Sequence, residues 1–547
     1  MYTVHGMFAA AADATAHKPF ICVPPRSDRA YFPQGVEISY GEIAQRVDDL
    51  RNRYAEAGYG HGHRASLLLE NRPDLIVHWL ALNAIGVSIV PINPAYRAAE
   101  IGYLLSHAEP ALVVTLREQR QLETALSETG QPIAVLRVAG DDLGAGIADI
   151  PRAPYAAPLA GPAGSMTEAA LLYTSGTTAQ PKGCILTNEY FVSTGRWYLT
   201  RAREATYHFG SDRLYAPLPL FHMAGLACTF MAMLLSGGCL ILPERFNPRF
   251  AWTDIVTCRA TVLHYLGVIV AALLGQPENP DETRHSLRFS MGVGANPDLR
   301  ARARKRFGIF FVEGWGMTET GRSPFNTVEP RHLELNAIGR SEASFEMKVV
   351  DGDDVEAPNG VVGELCVRHS AATPRKGFFA GYLKNPEATE AAWRNGWFHT
   401  GDSAWQHESG VFVFVDRLKH LVRRSGENIS AAEVEGVMIA SPLVQQAAVV
   451  AARDPVRDEE VAAFVVAAAG SAGTAEERAT QIFGYCAERL APYKVPAWIK
   501  FVDELPMTST NKIQKHQLLQ GDRDPLAEAG MIDLRAAKSA AIKNANK

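Results

Sequence analysis

Two apolar runs of the same form constrain the architecture most. "LIVHWLALNAIGVSIVPIN", from Leu75 to Asn93, reads as a helix, a break at Gly86, a short strand and Pro91. "MAGLACTFMAMLLSGGCLIL", from Met223 to Leu242, repeats the arrangement and carries no charge over roughly the length that spans a bilayer. "SGG" interrupts it, and "CLIL" then reads as a buried parallel strand. Two buried helix–turn–strand units predict a layered α/β domain with no integral membrane segment.

The same alternation runs through about the first 400 residues, as in "RASLLLE" and "SLRFSMGVGA". Residues 346–368 change character: "EMKVVDGDD" and "GVVGELCVRH" flank a turn rich in Asp, Pro and Gly and read as antiparallel strands. After "FVFVDRLKHLVRRSGENISAAEVE" the pattern restarts at smaller scale. "SAAEVEGVMIAS" is a helix with Ser430 as N-cap and Glu433 three residues on. "VQQAAVVAARD" and "EVAAFVVAAAG" are strands, and "EERATQIFGYCAERL" is a helix. The expected fold is α/β: a large multi-layer N-terminal domain with a small β-rich subdomain, then a small α+β C-terminal domain. The boundaries fall at 1–416, 417–419, 420–524 and a tail, 525–547, expected to dock poorly.

A chain of 547 residues is too long for one hydrophobic core. A net charge of −5, with basic residues scattered, favours neither nucleic acid nor anionic lipid as a partner. Seven cysteines from Cys22 to Cys486 show no CxxC pairing and mostly sit in apolar runs. They read as buried free thiols of a cytoplasmic protein. The N-terminus lacks the basic start and unbroken apolar core of a signal peptide.

Five stretches hold residues suited to chemistry. "YTSGTTAQPKG", Tyr173 to Gly183, gathers Thr174, Ser175, Gly176, Thr177, Thr178 and Lys182. Loops of this composition present backbone N–H groups to anions, and glycine lets the chain approach a phosphate. Its lysine precedes its glycine, so it is not GxxxxGK[ST]; a plain surface loop is the competing reading. "EGWGMTET" places Trp315 between Gly314 and Gly316 as an aromatic face, with Glu319 as a hard oxygen ligand suited to Mg²⁺. A turn with a packed tryptophan competes. "GWFHTGD" ends on Asp402, whose carboxylate can accept both hydroxyls of a ribose or serve an ordinary turn. "VDRLKHLVRRSGEN" offers Arg417 as a planar fork for phosphate or ribose oxygens, against a solvated basic face. "LPMTSTNKIQK" carries Lys512 on a polar turn between apolar anchors, where a surface lysine is the bland reading.

In this order and together, the five stretches resemble the motifs of the adenylate-forming superfamily: acyl- and aryl-CoA synthetases, luciferases and peptide-synthetase adenylation domains. They match YTSGTTGxPKG, YGxTE, GWxxTGD, DRxKxxIxxxGxxI and TxxGK, and the resemblance runs from "ISYGEIAQRV" to "NKIQKHQL". It implies an AMP-forming acid–CoA ligase using ATP, Mg²⁺ and coenzyme A on a small carboxylic acid. Residues 174–182 would hold the β- and γ-phosphates, Thr318 the α-phosphate and Glu319 the Mg²⁺. Trp315 and the backbone of Gly294, Ala295 and Asn296 would border adenine, and Asp402 and Arg417 would take the ribose. Lys512 would bridge the ribose side and the substrate carboxylate. Lys419 would be the hinge of a mobile small domain, and Arg423, Arg424 and the Gly426 backbone would meet coenzyme A. Carrier-protein loading and a catalytically weak nucleotide-binding homologue are the alternatives. Many members are dimers; a homodimer is allowed, and no motif here marks one.

The family's acyl pocket maps to Phe221, His222, Met223, Gly267, Val293 and Met317. Phe221-His222 stand where peptide-synthetase domains carry an aspartate for an amino group, so a neutral medium-chain aliphatic or aromatic acid is expected. Arg322 either meets the second carboxylate of a diacid or forms a surface or interface salt bridge. Four positions depart from the pattern: Ala179, Asn511, Asn188 for a histidine, and Asp458 in "DPVRDEE". Ala179 costs about 1 kcal/mol or more if its φ is positive and little otherwise.

Overall fold

The computed structural model describes residues 2–547 except 117–118, 139–142, 144–148, 175–180, 201–204, 418–420, 425–426, 455–457, 491, 508–512, 520–524 and 546–547. Two compact units result: Met1–Met347 with Val367–Phe398, and Lys348–Cys366 with His399–Lys547.

The larger unit contains two seven-stranded sheets. In the first, Phe310–Gly314, Phe289–Val293, Val262–Leu266, Arg213–Tyr215, Cys239–Ile241 and Pro19–Val23 lie side by side and parallel, and Val36–Ser39 closes the edge antiparallel. In the second, Glu168–Thr174, Ser88–Pro91, Arg64–Leu68, Leu112–Leu116 and Ala134–Val138 are parallel, while Lys182–Thr187 pairs antiparallel with Glu168–Thr174 and Gly381–Tyr382 antiparallel with Lys182–Thr187. Both apolar runs sit inside this unit. Pro73–Ala84 is helical and buried over all but its last residue, and Gly86, at φ +78°, turns the chain into Ser88–Pro91. The second run ends as expected, with helix Met231–Ser236, Gly237 at φ +65° and strand Cys239–Ile241. It begins differently: Ala224–Phe230 is a π-helix. A Cβ on Gly225 would lie 2.3 Å from the Pro219 carbonyl oxygen, so the wide turn can pack there only on a glycine. Among the described residues no helix is long and apolar enough to cross a membrane. All seven cysteines are buried and free.

Asn188 is a packing clamp. Its Oδ1 accepts from the Val4 N–H and the Asn83 amide, both at 3.0 Å. Its Nδ2 donates to the Gly164 carbonyl at 3.0 Å and the Thr167 carbonyl at 3.3 Å. Three separate stretches of chain are thus tied to the start of helix Asn188–Leu199. Asn188→Ala strands several buried polar groups and is expected to cost about 3 kcal/mol in chemical denaturation; a loss below about 0.5 kcal/mol would contradict the clamp.

In the smaller unit, Val444–Asp454 and Asp458–Ala467 form a long antiparallel pair, and Trp498–Phe501 runs parallel to the second of them. Helices Ala431–Ile439 and Ala475–Ala487 cover one face through Val434, Met438, Ile482 and Phe483. Ser430 caps the first helix by accepting from the Glu433 N–H at 3.2 Å. The chain's end does not hang free as expected. Met531–Asp533 pairs antiparallel with Trp498–Phe501, and helix Arg535–Ala545 follows. Lys538 of that helix is buried and bonded to Glu460, which also takes Arg424 Nε at 2.7 Å.

Candidate active site

The phosphate-loop candidate joins two antiparallel strands, Glu168–Thr174 and Lys182–Thr187, with Thr174 opposite Lys182 at its mouth. Strand Lys182–Thr187, rather than a helix N-terminus with its dipole, follows this stretch. Ser175, Gly176, Thr177, Thr178 and Ala179 lie outside the described residues. The mouth is braced where Tyr103 Oη donates to the Pro181 carbonyl at 2.8 Å.

Lys182 Nζ stands 4.8 Å from the centroid of the Tyr382 ring. Tyr382 Oη in turn donates to Glu319 Oε1 at 2.9 Å. Glu319 is buried, and its backbone carbonyl accepts from the Phe379 N–H. Burial, together with the Glu319 charge, pushes the Tyr382 phenol well above its ordinary range. Sequence reading missed Tyr382; the short strand Gly381–Tyr382 beside Lys182–Thr187 brings it here. Thr318 is buried, and its carbonyl accepts from Tyr190 Oη at 2.8 Å.

Three parallel strands bring the adenine-side candidates together. Leu266 is in register with Val293, and Val293 with Gly314. Gly267, Gly294 and Trp315 therefore leave the sheet side by side at its carboxyl edge, the usual ligand-binding end of a parallel sheet. Gly294 has φ +81°, and a Cβ on Gly267 would sit 1.9 Å from the Gly294 carbonyl oxygen. Trp315 is buried, with its N–H on the Pro324 carbonyl. The Asn296 side chain caps helix Pro297–Phe307 through the Leu299 N–H, so its backbone is what remains for a ligand. Burial pushes the Glu313 carboxyl up to about 7, against the pull of Arg300, Tyr265 and the Gly294 and Ala295 N–H groups.

In the smaller unit Asp402 and Arg417 are direct cross-strand partners, with Arg417 Nε 3.5 Å from Asp402 Oδ1. Asp402 is buried and Arg417 partly exposed. Glu364, unremarked in the sequence, fixes the part of strand Trp397–Gln406 just before Asp402: Oε1 accepts from the Gly401 N–H at 3.0 Å and Oε2 lies 2.8 Å from His399 Nδ1. Asp416 accepts from the Ala432 N–H at 2.9 Å at the start of helix Ala431–Ile439, where a carboxylate suits the helix dipole.

The basic cluster is divided. Arg424, expected at coenzyme A, is instead buried against Glu460. Arg424 shares a strand face with the fully buried Val422. Lys419, Gly426 and the side chain of Arg423 lie outside the described residues. So do Lys512 and Asn511, but the base of their loop is described. Met507 bridges Ile513, and Lys515 Nζ pairs with the half-buried Glu435 at 2.8 Å.

Among the acyl-pocket candidates, Met223 and Gly267 are buried, and Phe221, His222, Val293 and Met317 are half-buried. Among the described residues Arg322 forms no salt bridge. It is buried, with Nε and Nη2 donating to Ser193 Oγ at 3.1 and 2.6 Å and Nη1 to the Ser344 carbonyl at 2.6 Å. Behind His222, His264 is buried and bonded through Nδ1 to Tyr198 Oη. Burial lowers His264 to about 3, and does the same to His78 in the interior. Their folded values lie below the ordinary 6.5, so the stability from keeping them neutral is complete above that pH. It is lost as pH falls from 6.5 towards 3. His264→Asn is expected to reduce proton uptake on unfolding by about one in that window, measured from stability against pH. An unchanged slope would contradict a neutral buried imidazole.

The AMP-binding enzyme family model matches residues 8–383, and the AMP-binding enzyme C-terminal domain matches residues 433–512. The chain is 31% identical to the sulfoacetate–CoA ligase of Cupriavidus necator over 94% of its own length and 97% of that protein's. It is 30% identical to the crotonobetaine/carnitine–CoA ligase of Proteus mirabilis, covering 88% and 93%. The crystal structure of ATP-bound MatB from Rhodopseudomonas palustris superposes with a TM-score of 0.79 at 26% identity, over 94% of this chain and 98% of that one. With matches across both units and over nearly all its length, the chain belongs to the AMP-binding enzyme family and is an acid–thiol ligase of that family.

Proposed function

We propose that the chain adenylates a neutral, mostly apolar carboxylic acid, medium-chain aliphatic or aromatic, and then transfers the acyl group to coenzyme A. The observation that carries this reading is the hairpin mouth, where Lys182 and Glu319 meet on either side of Tyr382. A cation and a buried carboxylate next to a Gly/Ser/Thr loop suit a polyphosphate and its counter-ion.

A carboxylate is a poor electrophile. Its attack on the α-phosphorus of ATP forms an acyl-adenylate and expels pyrophosphate, so the protein supplies positioning and charge rather than a covalent nucleophile. Residues 174–182 hold the departing β- and γ-phosphates, and Thr318 contacts the α-phosphate. Glu319 fits Mg²⁺ as a buried hard oxygen donor, and the ion when bound neutralises phosphate charge. Trp315 and the 294–296 backbone border adenine. Asp402, on the strand that Glu364 fixes at His399 and Gly401, accepts from the ribose hydroxyls beside Arg417. Lys512 meets the charge that builds between carboxylate and α-phosphate. In the second step a thiol of pKa about 8.5, a few per cent ionised at neutral pH, suffices against a mixed anhydride. Arg423 and the Gly426 backbone are assigned to coenzyme A, and Lys419 to the hinge between the two steps.

The apolar assignment rests on Phe221, Met223, Val293 and Met317, and on Arg322 being held by Ser193 and Ser344. A small charged acid is the second reading, favoured by the relatives named for sulfoacetate and crotonobetaine/carnitine. Mass spectrometry of products from an acid panel, with coenzyme A or a carrier protein as acceptor, tests both points. Acyl-CoA from octanoate or benzoate is expected. Product only from sulfoacetate or carnitine-type acids, or only on the carrier protein, would sink the assignment.

A further inference from the structure

We propose that Glu313 is a positioning residue for the adenine side of the site: its carboxylate cross-ties the Gly294–Ala295 turn to the strand that leads into Trp315. This rests on reading residues 294–296 as the adenine border. Glu313 is the penultimate residue of strand Phe310–Gly314, and its side chain turns towards the neighbouring strand ends. Oε1 accepts from the Gly294 N–H at 2.5 Å and the Ala295 N–H at 3.2 Å. Oε2 accepts from Tyr265 Oη at 2.7 Å and lies 3.5 Å from Arg300 Nη1. Arg300 also donates to the Ala295 carbonyl, and so grips the turn from its other side. Its Nη2 anchors to the Leu335 carbonyl at 2.8 Å.

The turn needs such a strap. Gly294 holds a left-handed conformation and its carbonyl is pressed against Gly267. Two consecutive N–H groups at the end of a strand have no ladder partner, and inside a protein they must find an acceptor. One buried carboxylate oxygen takes both. The same side chain belongs to the strand that carries Trp315, so the two walls proposed to border adenine are set by one carboxylate. A merely structural acid would stabilise the unit without discriminating between the two substrates. A positioning residue should move the nucleotide term and leave the acid term.

Glutamine can preserve the strap. Its Oε1 accepts from both N–H groups, while Tyr265 Oη turns its proton to the Val312 carbonyl, already 2.9 Å away, and accepts from Nε2. Leucine cannot. ATP affinity by calorimetry and KM for ATP and for the acid are measured for wild type, Glu313→Gln and Glu313→Leu. Glu313→Leu is expected to weaken ATP at least tenfold with acid KM within threefold, and Glu313→Gln to stay within threefold of wild type in both. If Glu313→Leu does not accumulate folded, Glu313→Asp, one methylene too short to reach both N–H groups, is read the same way. ATP affinity within threefold of wild type, or equal rises in both KM values, overturns the proposal. A wild type that binds no ATP removes the functional reading together with it.

Discussion

Lys512→Ala is expected to slow acyl-adenylate formation by about 100- to 1,000-fold, the usual loss when a charge-stabilising donor is removed from a transition state. Thioester formation from preformed acyl-adenylate should change by no more than a few-fold. The two half-reactions build charge in different places. In the first, a carboxylate attacks a phosphorus already ringed by anionic oxygens, and a cation between the two lowers their repulsion. In the second, a thiolate attacks a carbonyl and AMP departs as a stabilised anion. The loop that carries Lys512 is anchored at its base by the Met507–Ile513 bridge and the Lys515–Glu435 pair, so alanine removes a charge and leaves the anchors in place. Rapid-quench measurement of each step separates the effects. Equal loss in both would contradict the role given to Lys512.

Glu460→Ala is expected to destabilise the smaller unit by about 3–5 kcal/mol. Its carboxylate faces Arg424 and Lys538, and all three side chains are at most 6% exposed. Removing the acid leaves two buried cations without it, the costly way to break an interior ion pair. The same change should release helix Arg535–Ala545, since Lys538 is its charged anchor. Hydrogen exchange in residues 531–545 should therefore rise together with the fall in denaturation midpoint. A stable variant with a protected C-terminal helix would show that Trp498, Ile499 and their cross-strand partners hold this segment unaided.

These residues also show which features the sequence could reveal. The two helix–turn–strand runs were legible because burial of a parallel strand and its helix makes both continuously apolar. The Ser430 cap was legible because its partners are three residues away. Arg424 belongs to the charged stretch "RRSGEN", yet it is buried against Glu460. Strand alternation from the apolar Val422 would have put it on the inner face, although nothing local points to Glu460. The docking of residues 531–545, the Asn188 clamp, Tyr382 at Glu319 and the Glu313 strap share one cause. Each is a contact across 15 or more residues of chain, set by which strands become neighbours. Local pattern carries no record of that. The candidate motifs could be singled out for the opposite reason, since each gathers its residues within a short stretch of sequence.

In the proposed reaction the Thr174–Lys182 mouth, the 294–296 and 315–319 turns and Asp402 serve acid-dependent attack on the α-phosphorus of ATP. Isotope exchange between pyrophosphate and ATP measures that step without coenzyme A. Screened over aliphatic, aromatic, dicarboxylic and sulfonated acids, the wild type is predicted to give Mg²⁺-dependent exchange that peaks with an apolar acid and disappears in Lys512→Ala. Exchange at background with every acid, from folded protein that binds ATP, would contradict the claim and leave a nucleotide-binding protein without adenylating activity.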